Sequence, residues 1–319
     1  MRFRRARLSD TNDISRFCID TFSWGDYIPK VVETWYRDSN GMLFVAEHRK
    51  RHETSELRGH TIATVGVSHI ALCPRKKLAW IEGIRVHPDH RRMKVATGLI
   101  QKMLGYAKKQ EIKEISAIVA LDNTASQSLL KKNGFKMITK WGYYSYKKNK
   151  QATRRTNARI ASPIDINNIW DYLKNSKIYK LSAKRYVDVW RWYTLDRNTL
   201  TDFVKRQRLI VTGNRIINGI MILNKTQYFN KNNILQIVYL DSMSKSSLEN
   251  LVSFAINLLN VNATIHFYSS KYYSRHNNSN CLKQLEILAY QTEGLSLMMK
   301  SLNIKISEEF LLYHKMIKI

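Results

Sequence analysis

The chain has 319 residues, 44% hydrophobic and 11% aromatic, with few Gly and Pro, which excludes a disordered or fibrous protein and leaves room for two domains. Its net charge of +28 leaves nucleic acid, acidic protein surfaces and phosphate-rich cofactors open as partners, but the excess is spread over both halves and selects none of them. No apolar run approaches the roughly 18 to 20 residues of a membrane span, and Cys18, Cys73 and Cys281 show no paired spacing; the expectation is a cytoplasmic protein without membrane segment, disulfide framework or metal site.

Phe3 to Leu8 reads as a first strand, and Ser9-Asp10 as the cap of a helix with the apolar face Ile14, Phe17 and Cys18. Trp24-Gly25-Asp26-Tyr27-Ile28-Pro29 breaks that pattern before a second helix carrying Val31, Val32, Trp35 and Tyr36. Met42 to Glu47 is a second strand, Arg49 to Arg58 a polar hairpin loop, and Thr61 to Ala71 a third strand. His48 and His52 stand four apart but flank Arg49-Lys50-Arg51, where a metal cation is repelled.

The stretch from 79 to 105, AWIEGIRVHPDHRRMKVATGLIQKMLG, carries most of the functional information. Trp80, Glu82, Ile84 and Val86 alternate on one face of a strand, His87-Pro88-Asp89-His90 turns, and a basic loop opens an amphipathic helix through Val95, Leu99, Ile100, Met103 and Leu104. Helical N–H groups from about Met93 to Thr97 then lack partners within the helix, and Arg91, Arg92 and Lys94 surround them with positive charge, an arrangement suited to a diphosphate.

Glu114 to Leu121 follows as a buried strand, and Asp122-Asn123-Thr124 caps a helix that stops at Asn133 and Gly134. Phe135 and the Tyr143, Tyr144, Tyr146 run continue as strands. Lys147 to Arg159 is basic and without apolar period, so domains are placed at 1–150 and 151–319. The second half echoes the first. Arg159-Ile160-Ala161 before Asp165 repeats Ala6-Arg7-Leu8 before Asp10, and Trp192-Tyr193, read as helical, repeats Trp35-Tyr36. Strands are read at Leu209–Thr212, Ile216–Leu223 and Ile234–Leu240, then a helix from Ser246 to Leu259 and a strand from Thr264 to Tyr268.

The order βααβββαβαββ, with Val86-His87-Pro88 followed by Arg91-Arg92-Met93-Lys94-Val95-Ala96, resembles the GNAT acetyltransferase superfamily. The family pattern is Arg/Gln-x-x-Gly-x-Gly/Ala; Arg91 and Ala96 fit it, and Lys94 stands where the central Gly belongs. The resemblance implies an α/β (α+β) fold with a mixed central sheet flanked by helices, followed by a second, degenerate GNAT-like domain whose corresponding loop, Asp241-Ser242-Met243-Ser244-Lys245, has an acidic residue at its entrance. It also implies acetyl-CoA as cofactor. The backbone of Ile84, Arg85 and Val86 would meet the pantetheine arm and acetyl carbonyl; Arg91, Arg92, Met93, Lys94, Val95, Ala96 and Thr97 would meet the pyrophosphate; Asn123 and Ser126 would meet the arm again.

Amine acetylation needs a base, and Glu82, sharing a strand face with Ile84 and Val86 among apolar neighbours, is the candidate; an ion pair with Arg85 or a lysine is its other reading. The Tyr that many GNAT proteins place four residues before Gly134-Phe135 is Leu130 here, which leaves water, a bound ammonium, Ser128, Tyr143 or Tyr144 to protonate the leaving thiolate. Phe3-Arg4-Arg5-Ala6, Asp26-Tyr27-Ile28-Pro29, Trp35 with Asp38, and the strand at Glu82 are similar to the histidine N-acetyltransferase group, which implies the α-amine of a free amino acid as acceptor. Asp26, Tyr27, Trp35 and Tyr143 are the residues expected to meet it; the other reading makes Tyr27 and Trp35 core residues between helices and Asp26 a turn residue. Protein N-termini or lysines, a polyamine or aminoglycoside, and a non-catalytic acyl-CoA-sensing or nucleic-acid-binding role stay open, polyamines fitting poorly with a cationic protein.

Overall fold

From the start to residue 147 the elements are β1 (Arg2–Arg5), α1 (Thr11–Cys18), α2 (Ile28–Tyr36), β2 (Gly41–Thr54), β3 (Leu57–Cys73), β4 (Leu78–Val86), α3 (Val95–Lys109), β5 (Glu114–Ala120), α4 (Thr124–Lys132) and β6 (Lys136–Lys147). The computed structural model describes residues 1–19, 21, 25–54, 57–147, 154–188, 190–224, 234–268, 284–290, 299 and 304–317. Trp24 and Cys281 lie outside them. The chain divides into two units, Met1–Met137 with Leu312–Ile319, and Ile138–Leu311.

In the first unit β1 to β4 are antiparallel neighbours, and β5 runs parallel to β4. One face of this sheet packs on α1 and α2 through Ile14, Cys18, Ile28, Val32, Val45 and Val67. Alternation sends Ser68 to the opposite face, where its hydroxyl contacts Met103 Sδ at 3.2 Å on α3. Valine and alanine dominate β2 and β3 where both faces are covered, as a sheet between helix layers requires.

Two expectations change in this unit. The charged stretch Arg49 to Arg58 is no loop: β2 and β3 stay in register from Arg49↔Ile62 to Thr54↔Leu57. Ladder hydrogen bonds use the backbone, so charged residues in the sequence do not prevent two strands from pairing. Asp10 stands at the N-cap position of α1, but its side chain makes no capping bond to the helix; the carboxylate is buried and accepts from Arg4, from the Arg7 N–H at 2.6 Å and from Thr64. Burial alone would raise that carboxyl, but those hydrogen bonds outweigh it and hold it below its usual value.

The second unit contains most of β6, then β7 (Arg159–Ile160), α5 (Ile166–Asn175), α6 (Lys177–Leu181), β8 (Arg185–Asp188), β9 (Arg191–Thr194), α7 (Arg197–Lys205), β10 (Leu209–Thr212), β11 (Gly219–Asn224), β12 (Ile234–Ser242), α8 (Lys245–Tyr268), β13 (Gln284–Tyr290) and the start of β14 (Lys305–Met316). Strands β7, β10, β11 and β12 are antiparallel neighbours and β13 runs parallel to β12. Trp192-Tyr193 lies on β9, in a hairpin with β8, and residues 264–268 continue α8. Among 260–268 no Gly or Pro interrupts the helix that the preceding Leu, Val and Ile residues begin.

The two units repeat one local device. Arg4 donates both Nη groups to Asp10, each at 2.7 Å, and Arg159 does the same to Asp165 six residues on, again at 2.7 Å twice. In both, the carboxylate also accepts a backbone N–H three residues back and ends a one-turn 3-10 helix. The echo therefore runs Arg4 to Arg159 and Asp10 to Asp165, two or three residues away from the alignment of Ala6-Arg7-Leu8 with Arg159-Ile160-Ala161.

The sequence halves do not coincide with the units. Beyond Met137, β6 belongs to the second unit, where Trp141 to Lys147 pair antiparallel with β13. The end of the chain returns to the first unit: Ile317 N donates to Lys113 O at 2.8 Å, Lys315 Nζ donates to Asn133 O at 2.5 Å, and His314 Nδ1 lies 3.2 Å from Glu114 Oε1. The division at 137/138, rather than 150/151, follows from these pairings.

Candidate functional site

Parallel pairing between β4 and β5 covers Leu78↔Glu114, Ala79↔Ile115 and Trp80↔Ser116, and among the described residues goes no further. From Ile81 on, β4 has β3 on one side and no ladder on the other. Its exposure changes at the same place, Leu78 to Ile81 being buried and Glu82 to Val86 half-buried. The last residues of β4 thus lie past the ladder with β5 and are half-buried.

A bulge decides which way their side chains face. Glu82 pairs with His69 and Arg85 with Val67, so two residues of β4, Gly83 and Ile84, stand opposite the single Ser68. Gly83 has φ +60°, which favours glycine, and a Cβ there would lie 2.5 Å from the Trp35 ring, a close approach that only glycine leaves room for. Directly opposed residues share a face, so Glu82, Arg85, His69 and Val67 point to the α1–α2 side, while Val86, opposite Gly66, points to the α3 side. Glu82 does not share the face of Val86 as simple alternation predicts.

The sequence reasoning missed His69. It is wholly buried, its Nδ1 lies 3.1 Å from Glu82 Oε2, and its ring stacks on Trp35 with centroids 4.8 Å apart and 6° between planes. Its Nε2 has no hydrogen bond and faces Asp38 Oδ2 at 3.6 Å. A Cβ at Gly41 would fall 2.5 Å from that nitrogen, so Gly41 leaves the space the ring uses. A histidine in the apolar run Val65-Gly66-Val67-Ser68-His69-Ile70 was the available signal, because a buried ring nitrogen needs a partner. Trp35 both packs against the α1–α2 core and supports this histidine.

Asp26 meets a cation of the chain itself. Arg85 donates Nε to Oδ2 at 2.6 Å and Nη2 to Oδ1 at 3.2 Å, and the Asp26 side chain has no exposure. The ammonium or imidazolium expected beside Asp26 would have to displace that guanidinium, whose bidentate geometry makes it the stronger partner. Tyr27 is partly exposed, stands edge-on to Trp35 and has the Arg85 guanidinium 5.7 Å from its ring centroid.

Before α3, Arg91, Arg92, Met93 and Lys94 are exposed and Val95 is buried, with Ala96 and Thr97 half-buried. Lys94 sits at φ +59° and Arg92 at φ +62°. Lys94 thus adopts the left-handed backbone that the glycine of the family pattern takes freely. The first helical bond is Gly98 N to Lys94 O at 3.0 Å, so among the described residues the N–H groups of Val95, Ala96 and Thr97 have no carbonyl partner. Just upstream, His90 Nε2 lies 2.9 Å from His48 Nδ1, and burial together with His48 and His87 holds His90 below its usual value.

Asn123 caps α4, its Oδ1 accepting from Ser126 N at 3.0 Å. Ser128 is exposed on the same helix, and Leu130 is a core residue at 2% exposure. Tyr143 and Tyr144 belong to the second unit: Tyr143 tilts against Trp190 at 5.4 Å, and Tyr144, 1% exposed, is part of that unit's core. A core ring is not placed to protonate a thiolate, so Tyr144 drops out as the acid. Among the described residues no group of three His, Cys, Asp or Glu could hold a metal ion, and no helix is long and apolar enough to cross a membrane.

Residues 10–135 match the model of the Acetyltransferase (GNAT) family. The chain is 39% identical over 70 residues to an aminoglycoside N(6')-acetyltransferase type 1 of Acinetobacter haemolyticus, covering 22% of this chain and 48% of that protein. It is 38% identical over 72 residues to the enzyme of the same name from Acinetobacter baumannii, again covering 48% of it. The chain spans about half the length of these curated relatives. Over its whole length it is similar in fold to a GCN5-related N-acetyltransferase from Sphaerobacter thermophilus, with TM-score 0.57, 11% identity, and 100% of this chain and 96% of that one covered. A glucosamine N-acetyltransferase region of a fungal multi-domain GH3 β-N-acetylglucosaminidase gives TM-score 0.58 at 14% identity, over 98% of this chain and 38% of that one. The family match over residues 10–135 and the likeness in fold thus agree: this part of the chain is similar to the GNAT family.

Proposed function

We propose that the chain is an acetyl-CoA-dependent N-acetyltransferase acting on a small primary amine, with Glu82 as the base. The observation that supports it is the pairing of Glu82 with His69 on the α1–α2 face, two residues past the last rung of the β4–β5 ladder. The residues present suit the cofactor: exposed Arg91, Arg92 and Lys94 beside the N–H groups of Val95, Ala96 and Thr97 at the start of α3 suit a diphosphate, and the end of β4 at Ile84, Arg85 and Val86, past its ladder with β5, suits an extended amide arm. Bound acetyl-CoA supplies the acetyl group as an activated thioester. Glu82 would take a proton from the acceptor ammonium; the freed amine would form the C–N bond as the C–S bond breaks, and the second proton leaving nitrogen would pass through solvent to the thiolate. His69, with its proton on Nδ1, fixes the carboxylate that does this.

The acceptor proposed first is the α-amine of a free amino acid, histidine-like in class. A second reading, an amine of an amino sugar, is favoured by the names of the two curated relatives. In the second unit the repeat of the Arg–Asp device supports a degenerate GNAT-like domain, and Asp241-Ser242-Met243-Ser244 replaces the basic loop. The test is incubation of the protein with acetyl-CoA and, separately, single amino acids and aminoglycosides, following thiol release and product mass. Turnover with an amino acid supports the first reading and turnover with an aminoglycoside the second. Acetyl-CoA binding without turnover in either panel overturns both.

A further inference from the structure

The second unit ends its own central strand on the opposite charge. Arg85 is the next-to-last residue of β4 and is held by Asp26, just before α2; Asp241 is the next-to-last residue of β12 and is held by Ser176, the residue that caps α6. Tyr172 donates to Asp241 Oδ1 at 2.9 Å, while Ser176 at 2.6 Å and Tyr239 at 2.9 Å donate to Oδ2. The carboxylate is 2% exposed, and among the described residues no cation pairs with it. Burial pushes its carboxyl above the usual range against the pull of the three hydroxyls. A buried carboxylate with hydroxyl partners alone is costly, and one lining a cavity marks a ligand site.

That cavity, of about 580 Å³, lies wholly within the second unit. Asp241, Tyr172 and Ser176 form part of its wall together with Ser242, which is 9% exposed and whose hydroxyl has no partner. Lys177 and Arg215, both exposed, supply the cations of the lining; its one other acid, Asp171, is paired with Lys174 at 2.7 Å. Ile216 and Met243 add apolar surface that is 79% and 74% exposed. A diphosphate does not suit this place: the start of α8 is closed by Ser244 Oγ, which accepts from Ser247 N, and the nearest strand end is anionic.

We propose that this cavity binds a free α-amino acid with an apolar side chain, its ammonium to Asp241 and Ser242, its carboxylate to Arg215 and Lys177, its side chain on Ile216 and Met243. The size suits such a molecule, and both of its charges and its apolar part have counterparts in the wall. The second unit is then a binding module that kept a pocket and lost the phosphate loop.

Calorimetric titration of the full chain without acetyl-CoA tests this, using L-leucine, isopentylamine, which lacks the carboxylate, and N-acetyl-L-leucine, which lacks the ammonium. Leucine is expected to bind saturably, and each analogue at least about tenfold more weakly, since each lacks one charged hydrogen-bonding group. Asp241→Asn and Arg215→Ala are each expected to weaken leucine binding about tenfold or more; Arg215 is exposed, so its variant decides the matter where Asp241→Asn does not fold. No saturable heat, equal binding of either analogue, or unchanged leucine affinity in the Arg215→Ala protein, which would place leucine elsewhere, overturns the proposal.

Discussion

His69 and Glu82 face each other across β3 and β4, Nδ1 to Oε2 at 3.1 Å, on a register that exists because Gly83 and Ile84 bulge opposite Ser68. The histidine is held on three sides, by the Trp35 ring, by the space left at Gly41 and by the ladder itself. A carboxylate anchored to a fixed ring has fewer orientations than a free one on a strand end.

His69→Phe keeps a ring against Trp35 and removes the donor. Its acetyl transfer rate is expected to fall about tenfold or more, in the range of a lost charged hydrogen bond, with acetyl-CoA affinity unchanged. Because the donor favours the ionised carboxylate, the acid limb of the rate–pH profile should move to higher pH. His69→Asn, with an amide donor, should recover part of the rate. A profile that stays in place in a folded His69→Phe protein contradicts a positioning role.

Lys94→Gly relieves a left-handed lysine, which costs about 1 to 2 kcal/mol, and adds chain entropy worth about 0.4 to 1 kcal/mol to the unfolded state. The balance predicts a gain of roughly 0.5 to 1 kcal/mol in denaturant unfolding, with acetyl-CoA affinity equal or tighter. A loss of stability would show that the Lys94 side chain makes a contact that outweighs its backbone strain.

A chain cut after residue 150 lacks Leu312 to Ile317 and with them the partners of Lys113, Glu114 and Asn133. It also leaves β6 without β13. Two strands then present unpaired edges, so the fragment is expected to aggregate or to unfold without cooperativity in a thermal melt. A soluble fragment melting at the temperature of the parent contradicts the pairing described.

Asp165 is held well below the usual carboxylate range by Arg159, and Asp10 is lowered in spite of its burial. Groups with depressed folded values stabilise fully above the unfolded value of about 3.9, and that contribution is lost as pH falls through the folded values. Asp165→Asn should therefore cost about 1 to 2 kcal/mol near neutral pH, and the gap to the parent should close as pH falls below about 3.9. A gap that does not change with pH argues that the Arg159 pair carries no charge-dependent stability.

Local pattern carried the order of elements in the first unit, the turn at Gly134 with φ +81° and the cap at Asn123, because each rests on residues near in sequence. Period two could not show the bulge at Gly83, so Glu82 was aimed to the wrong face, and His69, 13 residues upstream, stayed outside the site. The same limit hid the buried ion pair of Asp26 with Arg85, separated by 59 residues. Charge suggested a loop where Arg49 to Thr54 form a strand, since an antiparallel ladder needs only backbone. The return of the last residues to the first unit depends on contacts far apart in sequence, Lys315 and Asn133 being separated by 182 residues, for which no local signal exists.

The central claim is that Glu82 takes the proton from the acceptor amine. The measurement that reaches it most directly is kcat/KM for acetyl transfer by the parent and by Glu82→Gln, with acetyl-CoA affinity of each measured by calorimetry. Loss of a general base predicts a fall of about 10² to 10⁴ in kcat/KM at unchanged acetyl-CoA affinity. A Glu82→Gln protein that binds acetyl-CoA and turns over within a few-fold of the parent contradicts it.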